Sequence, residues 1–189
     1  MLIQKIQVKI VGIKPLLFNK FNGIQDEAIP TEKKFDLDGG NIVIKSSRLL
    51  SFLFDMGDTA GGRNTIGAIK MFTGRKHKSL IVQGNAFIGV EPLTIPLTRN
   101  GKPIVFKKFG ANGILEYEDK TGKGKPQIVK RPLIETPWEA EFQISLVEND
   151  FISFDDLKGW FEKGGIMVGL GAWRPRYGQF TVEKFVKIK

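Results

Sequence analysis

From Trp138 to Leu146 the chain alternates: Trp138, Ala140, Phe142, Ile144 and Leu146 stand against Glu139, Glu141, Gln143 and Ser145. Successive side chains of a strand point to opposite faces, so this segment predicts a strand with one face buried and one wet. Such strands belong to antiparallel sheets covered on a single face. The next residues narrow the choice. Ser153 and Asp156 have capping-box spacing, so a helix is expected from there to Lys163, with Leu157, Trp160 and Phe161 inward. Gly164-Gly165 are expected to end it. A last strand is expected over Gln179–Ile188, with Phe180, Val182, Val186 and Ile188 on one face.

The first half repeats the theme. Leu2–Val11 alternates and predicts a strand; Asn41–Lys45 predicts a second, short one. Ser46 or Ser47 is placed to N-cap a helix over Arg48–Met56, with Leu49, Leu50, Leu53 and Phe54 buried. Asn64–Phe72 suggests another short helix, and Ser79–Val90 a strand bent at Gly84. Residues 92–131 carry many Pro and Gly residues and read as a long, hairpin-like excursion, only partly packed. The order is strand, helix, strand, strand, helix, strand. It predicts an α+β fold, a ferredoxin-like or RRM-like antiparallel sheet with helices on one face. One domain over 1–189 with an insertion at about 92–131 is expected.

Charge points to the partner. The chain carries 29 Lys and Arg against 20 Asp and Glu, a formal net charge of +9. Arg63 to Lys78 is net +5, and Arg99 to Arg131 is net +6. A basic surface concentrated in particular segments is the footprint of a polyanion-binding protein. The absence of Cys excludes disulfides and Cys-based zinc sites and suits a reducing, cytoplasmic compartment. A single His, His77, argues against a His-rich metal site, and no phosphate-binding NTPase motif is present. No cofactor and no membrane span are expected.

Candidate contacts fall in three places. Gly169, Gly171 and Gly178 enclose Trp173, Arg174, Arg176 and Tyr177. Glycines allow close backbone approach, two arginines suit phosphates, and aromatic rings suit bases. In an extended loop Arg174 and Arg176 share one side; the alternative is a salt bridge to Glu139 or Glu141. Trp173 is expected to plug the core, with stacking as its alternative, whereas Tyr177 is open between the two. Ser46, Ser47 and Arg48 offer hydroxyls, helix N–H groups and a guanidinium to a phosphate. Arg75, Lys76, Lys107, Lys108, Lys123 and Lys125 are the candidate phosphate clamps.

The run Gly169-Leu170-Gly171, then Ala172-Trp173-Arg174-Pro175-Arg176 and Tyr177, then Gly178 before Phe180, set between a helix and a last strand, resembles the RAMP superfamily. These are RRM-like, glycine-rich-loop RNA-binding proteins of CRISPR effector complexes. Ile44-Lys45-Ser46-Ser47-Arg48-Leu49-Leu50 is similar to the strand, turn and helix start of their backbone-forming members. The resemblance implies single-stranded nucleic-acid binding, RNA more than DNA, with self-association or other subunits. A phage or mobile-element relative fits the same pattern. It also makes His77 a weak candidate for general acid/base catalysis in a metal-independent endoribonuclease. A third reading is an inhibitor or structural protein whose basic face meets another protein.

Overall fold

The computed structural model describes residues 2–19, 30–54, 67–73, 87–121, 127–147 and 149–188. The chain runs β1 (Ile3–Gly12), β2 (Leu16–Leu17), β3 (Leu37–Asp38), β4 (Asn41–Lys45), α1 (Ser46–Phe54) and α2 (Ala68–Thr73). It continues β5 (Ile88–Glu91), β6 (Thr94–Arg99), β7 (Lys102–Pro103), β8 (Ile114–Thr121), β9 (Gln127–Ile134), β10 (Glu139–Val147), α3 (Phe154–Met167) and β11 (Phe180–Ile188).

β1 lies between β10 and β11, antiparallel to both, and β5 pairs with β10. With α1 after β1 and α3 after β10, this is the expected split β-α-β sheet. The helix-facing residues Ile6, Val8, Ile10, Phe142 and Ile144 are all essentially buried. They meet Phe52 and Phe161, whose ring centroids are 5.3 Å apart. Each such side chain contributes roughly 2 kcal/mol over remaining exposed, so this seam is the main apolar contribution to the fold.

β10 serves two partners. Its residues Gln143–Leu146 pair with β5, whereas Glu139 and Ala140 pair with β6. β6 continues to β4, which continues to β3. Part of the segment expected to loop out therefore extends the main sheet. The remainder forms the β8–β9 hairpin, which joins β2 in a separate three-stranded sheet. Gln127–Ile134, most of which falls in the expected excursion, is a full strand of this hairpin.

Two registers depart from expectation. α1 begins at Ser46, inside the helix, and buries Phe52 beside Leu49 and Leu53. In β11, Lys9 pairs with Lys184 but Ile10 with Val182, so Glu183 is an extra, bulged residue. The bulge brings Phe185 inward opposite Val8 and leaves Val186 and Ile188 on the open face.

Candidate nucleic-acid interface

The glycine loop starts later than its sequence suggests. α3 runs through Gly164 and Gly165 to Met167, and its Ser153–Asp156 capping box is formed as expected. These two glycines pack and do not cap. A Cβ on Gly164 would lie 2.8 Å from the Phe52 ring and the Ala68 methyl, and one on Gly165 would lie 2.5 Å from the Phe180 carbonyl. The turn out of the helix comes at Gly169, with φ at 73°.

The loop then fastens to the β1–β2 connection. Ala172 N–H donates to the Leu17 carbonyl and Gly178 N–H to the Pro15 carbonyl, both at 2.8 Å. Leu170 N–H donates to the Gly178 carbonyl at 2.8 Å, and Gly169 N–H to the Gly164 carbonyl at 3.0 Å. These amides point into the protein. Gly169 and Gly178, expected to hold a ligand, instead let the backbone cross itself; Gly171 lets it pass against Leu16 and Leu17. Trp138 closes the same corner from below. It is fully buried, and its indole N–H donates to the Lys14 carbonyl at 2.9 Å.

Of the loop's candidate side chains, Trp173 and Arg176 are exposed, and Arg174 and Tyr177 are half-buried. Trp173 sits at positive φ (57°) and is 39% exposed, so it does not plug the core. Leu16, Leu17 and Leu170 already fill the space under the loop. Tyr177 N–H closes back on the Trp173 carbonyl at 3.2 Å, so Arg174, Pro175 and Arg176 occupy a turn and not the extended loop expected. Arg176 is exposed and Arg174 half-buried. The alternative salt bridge meets carboxylates already in use. Glu139 pairs with Lys9 at 3.5 Å, and Glu141 accepts from the Gln7 amide at 3.1 Å.

A second group stands over four phenylalanines. Phe18 contacts Phe35, and Phe35 contacts Phe106 and Phe109, with centroids 5.2 to 6.1 Å apart. Lys107 and Lys108 lie between the two anchoring rings of this cluster and are exposed. Arg48 lies over Phe18, 5.6 Å from its centroid, but its guanidinium is bound at 3.0 Å to the buried Asp36 carboxylate. It braces the fold there, a role the short spacing to Asp36 did not reveal. Ser46 is buried with its N–H on the Leu93 carbonyl, and Ser47 is exposed.

The hairpin is held at its base. Arg99, counted with the basic excursion, donates to the carbonyls of Pro137 (2.8 Å), Glu135 (2.6 Å) and Asn112. Lys34 is buried and reaches the Lys130 carbonyl at 2.9 Å. The Lys130 ammonium, 2.8 Å from Glu116, holds that carboxyl below its ordinary value, helped by the Thr31 hydroxyl. The same bond raises Lys130. From β8, Tyr117 meets Tyr177 of the glycine loop edge to face, with centroids 5.7 Å apart.

The open face of the main sheet is different. It carries Lys5–Glu91 at 3.2 Å and Lys9–Glu183 at 2.5 Å, and the Glu183 bond raises the Lys9 ammonium. Among the described residues no aromatic side chain stands on this face of β1, β5, β10 or β11. The stacking platform of an aromatic-faced RRM sheet is therefore not built there. Arg75, Lys76, His77, Lys123 and Lys125, and most of the expected strand at 79–90, lie outside the described residues. Within those residues no group of three or more acidic, His or Cys side chains is placed to hold a metal, and no helix is long and apolar enough to cross a membrane.

Taken together, sheet order and helix placement define an α+β protein of the ferredoxin-like, RRM-like class. The same fold occurs in a chain of the cryo-EM structure of the Type III-B Cmr-beta bound to cognate target RNA, with a TM-score of 0.62 at 14% identity. The match covers 99% of this chain and 61% of that one, so this chain spans about three fifths of its neighbour's length. No protein-family model and no curated protein matches the sequence.

Proposed function

We propose that this chain is a non-catalytic, single-stranded RNA-binding subunit of a ribonucleoprotein complex, akin to the backbone RAMP proteins. The observation that carries the reading is the apex of the glycine loop. The amides of Leu170, Ala172 and Gly178 at its stem are bonded within the protein, and the apex carries exposed Trp173 and Arg176 with half-buried Arg174 between them. The fold neighbour's association with target RNA supports the same reading. So does the net charge of +9, with exposed Lys107 and Lys108 on a rigid aromatic base. Arginines take phosphates bidentately, so the loop binds backbone and leaves sequence largely unread.

Self-association along the strand, or docking with other subunits, completes the proposal. It contains no bond-breaking step. The test is the absorbance ratio of the protein as purified, nuclease identification of any bound strand, and fluorescence anisotropy with an unstructured labelled RNA. The reading expects bound RNA that stays intact in EDTA. Cleavage that disappears in His77→Ala would replace it with the endoribonuclease reading. Tight binding of a protein with no oligonucleotide affinity would replace it with the interaction reading.

A further inference from the structure

The end of β1 breaks the alternation that runs through it. Ile6, Val8, Ile10 and Gly12 all take the buried face, so the same parity would send Lys14 inward. The chain does otherwise. The Ile13 and Lys14 N–H groups both donate to one acceptor, the Gln179 carbonyl, at 2.9 and 3.2 Å. Two residues opposite one make a β-bulge, and bulges re-aim side chains. Ile13 and Lys14 are accordingly both exposed. The inward place is taken by Trp138, whose ring lies so close to Gly12 that a Cβ there would sit 2.0 Å from it. Its indole N–H holds the Lys14 carbonyl at 2.9 Å. The next carbonyl, that of Pro15, accepts from Gly178 N–H of the glycine loop at 2.8 Å. The Lys14 backbone is thus fixed on both sides, and it is fixed to the stem of the loop.

The charge of Lys14 is also uncommitted. Among the described residues no carboxylate lies within ion-pair distance of its ammonium, whereas Lys9 and Lys130 are held by glutamates and Lys45 by Asp36. We propose that Lys14 is a further phosphate-binding residue of this interface, aimed outward by the bulge and held beside the loop by Trp138. The proposal rests on the single-strand reading above and adds to it a residue from near the start of the chain. An ammonium is a point charge, so it meets a phosphate without reading the base. Strap and loop then grip the backbone of one strand jointly.

The test is fluorescence anisotropy of the full chain with an unstructured, labelled single-stranded RNA over a range of salt. One phosphate contact on a single strand contributes about 0.7 to the slope of log affinity against log salt, which is about fivefold in affinity at about 0.1 M salt. Lys14→Ala is expected to lose both, with its urea midpoint unchanged because the side chain is exposed. Lys14→Arg keeps the charge and is expected to bind as wild type. The control is Lys187→Ala. Lys187 pairs with Ile6, so it lies roughly 25 Å from Lys14 along β1 at about 3.3 Å per residue, and its loss should leave affinity and slope as in wild type. A Lys14→Ala with wild-type affinity and slope overturns the proposal. So does an equal effect of Lys187→Ala, which would show a response to net charge alone. If wild type binds no RNA, the single-strand reading fails and this proposal falls with it. If Arg174→Ala/Arg176→Ala lowers the slope and Lys14→Ala does not, only this proposal fails.

Discussion

Gly178→Ala isolates the loop geometry from its charge. Gly178 has φ at 70°, and a Cβ built there lies 1.8 Å from the Leu170 carbonyl oxygen. Gly101, in the β6–β7 turn, has φ at 73° and nothing within 4 Å of the same atom. Left-handed backbone costs an L-residue about 1–2 kcal/mol, so both substitutions lose that much. At Gly178 the backbone must also move. That separates Gly178 N–H from the Pro15 carbonyl and Leu170 N–H from the Gly178 carbonyl, both 2.8 Å bonds. Each adds about 1 kcal/mol, giving about 1–2 kcal/mol for Gly101→Ala and about 3–4 kcal/mol for Gly178→Ala. Urea unfolding followed by far-UV circular dichroism measures both at unchanged m value. RNA affinity should fall with Gly178→Ala and hold with Gly101→Ala. Equal losses of stability, or a Gly178→Ala that binds as wild type, would refute the claim that the crossing at Gly178 shapes the loop.

Three further outcomes follow from the packing. Arg99→Ala removes three hydrogen bonds at the hairpin base and should lower stability by about 2 kcal/mol in urea unfolding, with Arg99→Lys recovering only part because an ammonium lacks the planar fork. Asp36→Ala strips the Arg48 guanidinium of a buried carboxylate and should cost about 3 kcal/mol, read as a lower melting temperature; a loss under 1 kcal/mol would show that the pair is dispensable. Glu116 has its carboxyl held below the ordinary value of 4.5, so its contribution is present above that pH and lost as pH falls through the folded value. Glu116→Gln should therefore flatten the acid limb of stability against pH below about 4.5, and an unchanged limb would contradict the Lys130 bond.

Local pattern carried the fold a long way. Alternation located β1 and β10, the short apolar run Asn41–Lys45 located β4, and the Ser153–Asp156 spacing located the start of α3. Local pattern failed where a residue's role depends on a distant neighbour. Gly164 and Gly165 look like a helix stop, yet they are small because Phe52 and Phe180 press on them. Val186 and Ile188 share a face with Phe180 by counting, until the bulge at Glu183 reverses them. The site divides the same way. The arginines and tyrosine of the loop were legible as a cluster, but the exposure of Trp173 depends on what fills the space beneath it. The Arg48–Asp36 bond and the Tyr117–Tyr177 contact are tertiary, and no spacing in the chain announces them.

The most direct measurement of the central claim is the salt dependence of affinity for an unstructured, labelled RNA, in wild type and in Arg174→Ala/Arg176→Ala. Each phosphate contact on a single strand contributes about 0.7 to the slope of log affinity against log salt, so losing two lowers the slope by about 1.4. The account predicts tight wild-type binding, a steep slope, and that reduction in the double variant. Wild-type affinity that is absent or insensitive to salt, or a double variant with the wild-type slope, would contradict it.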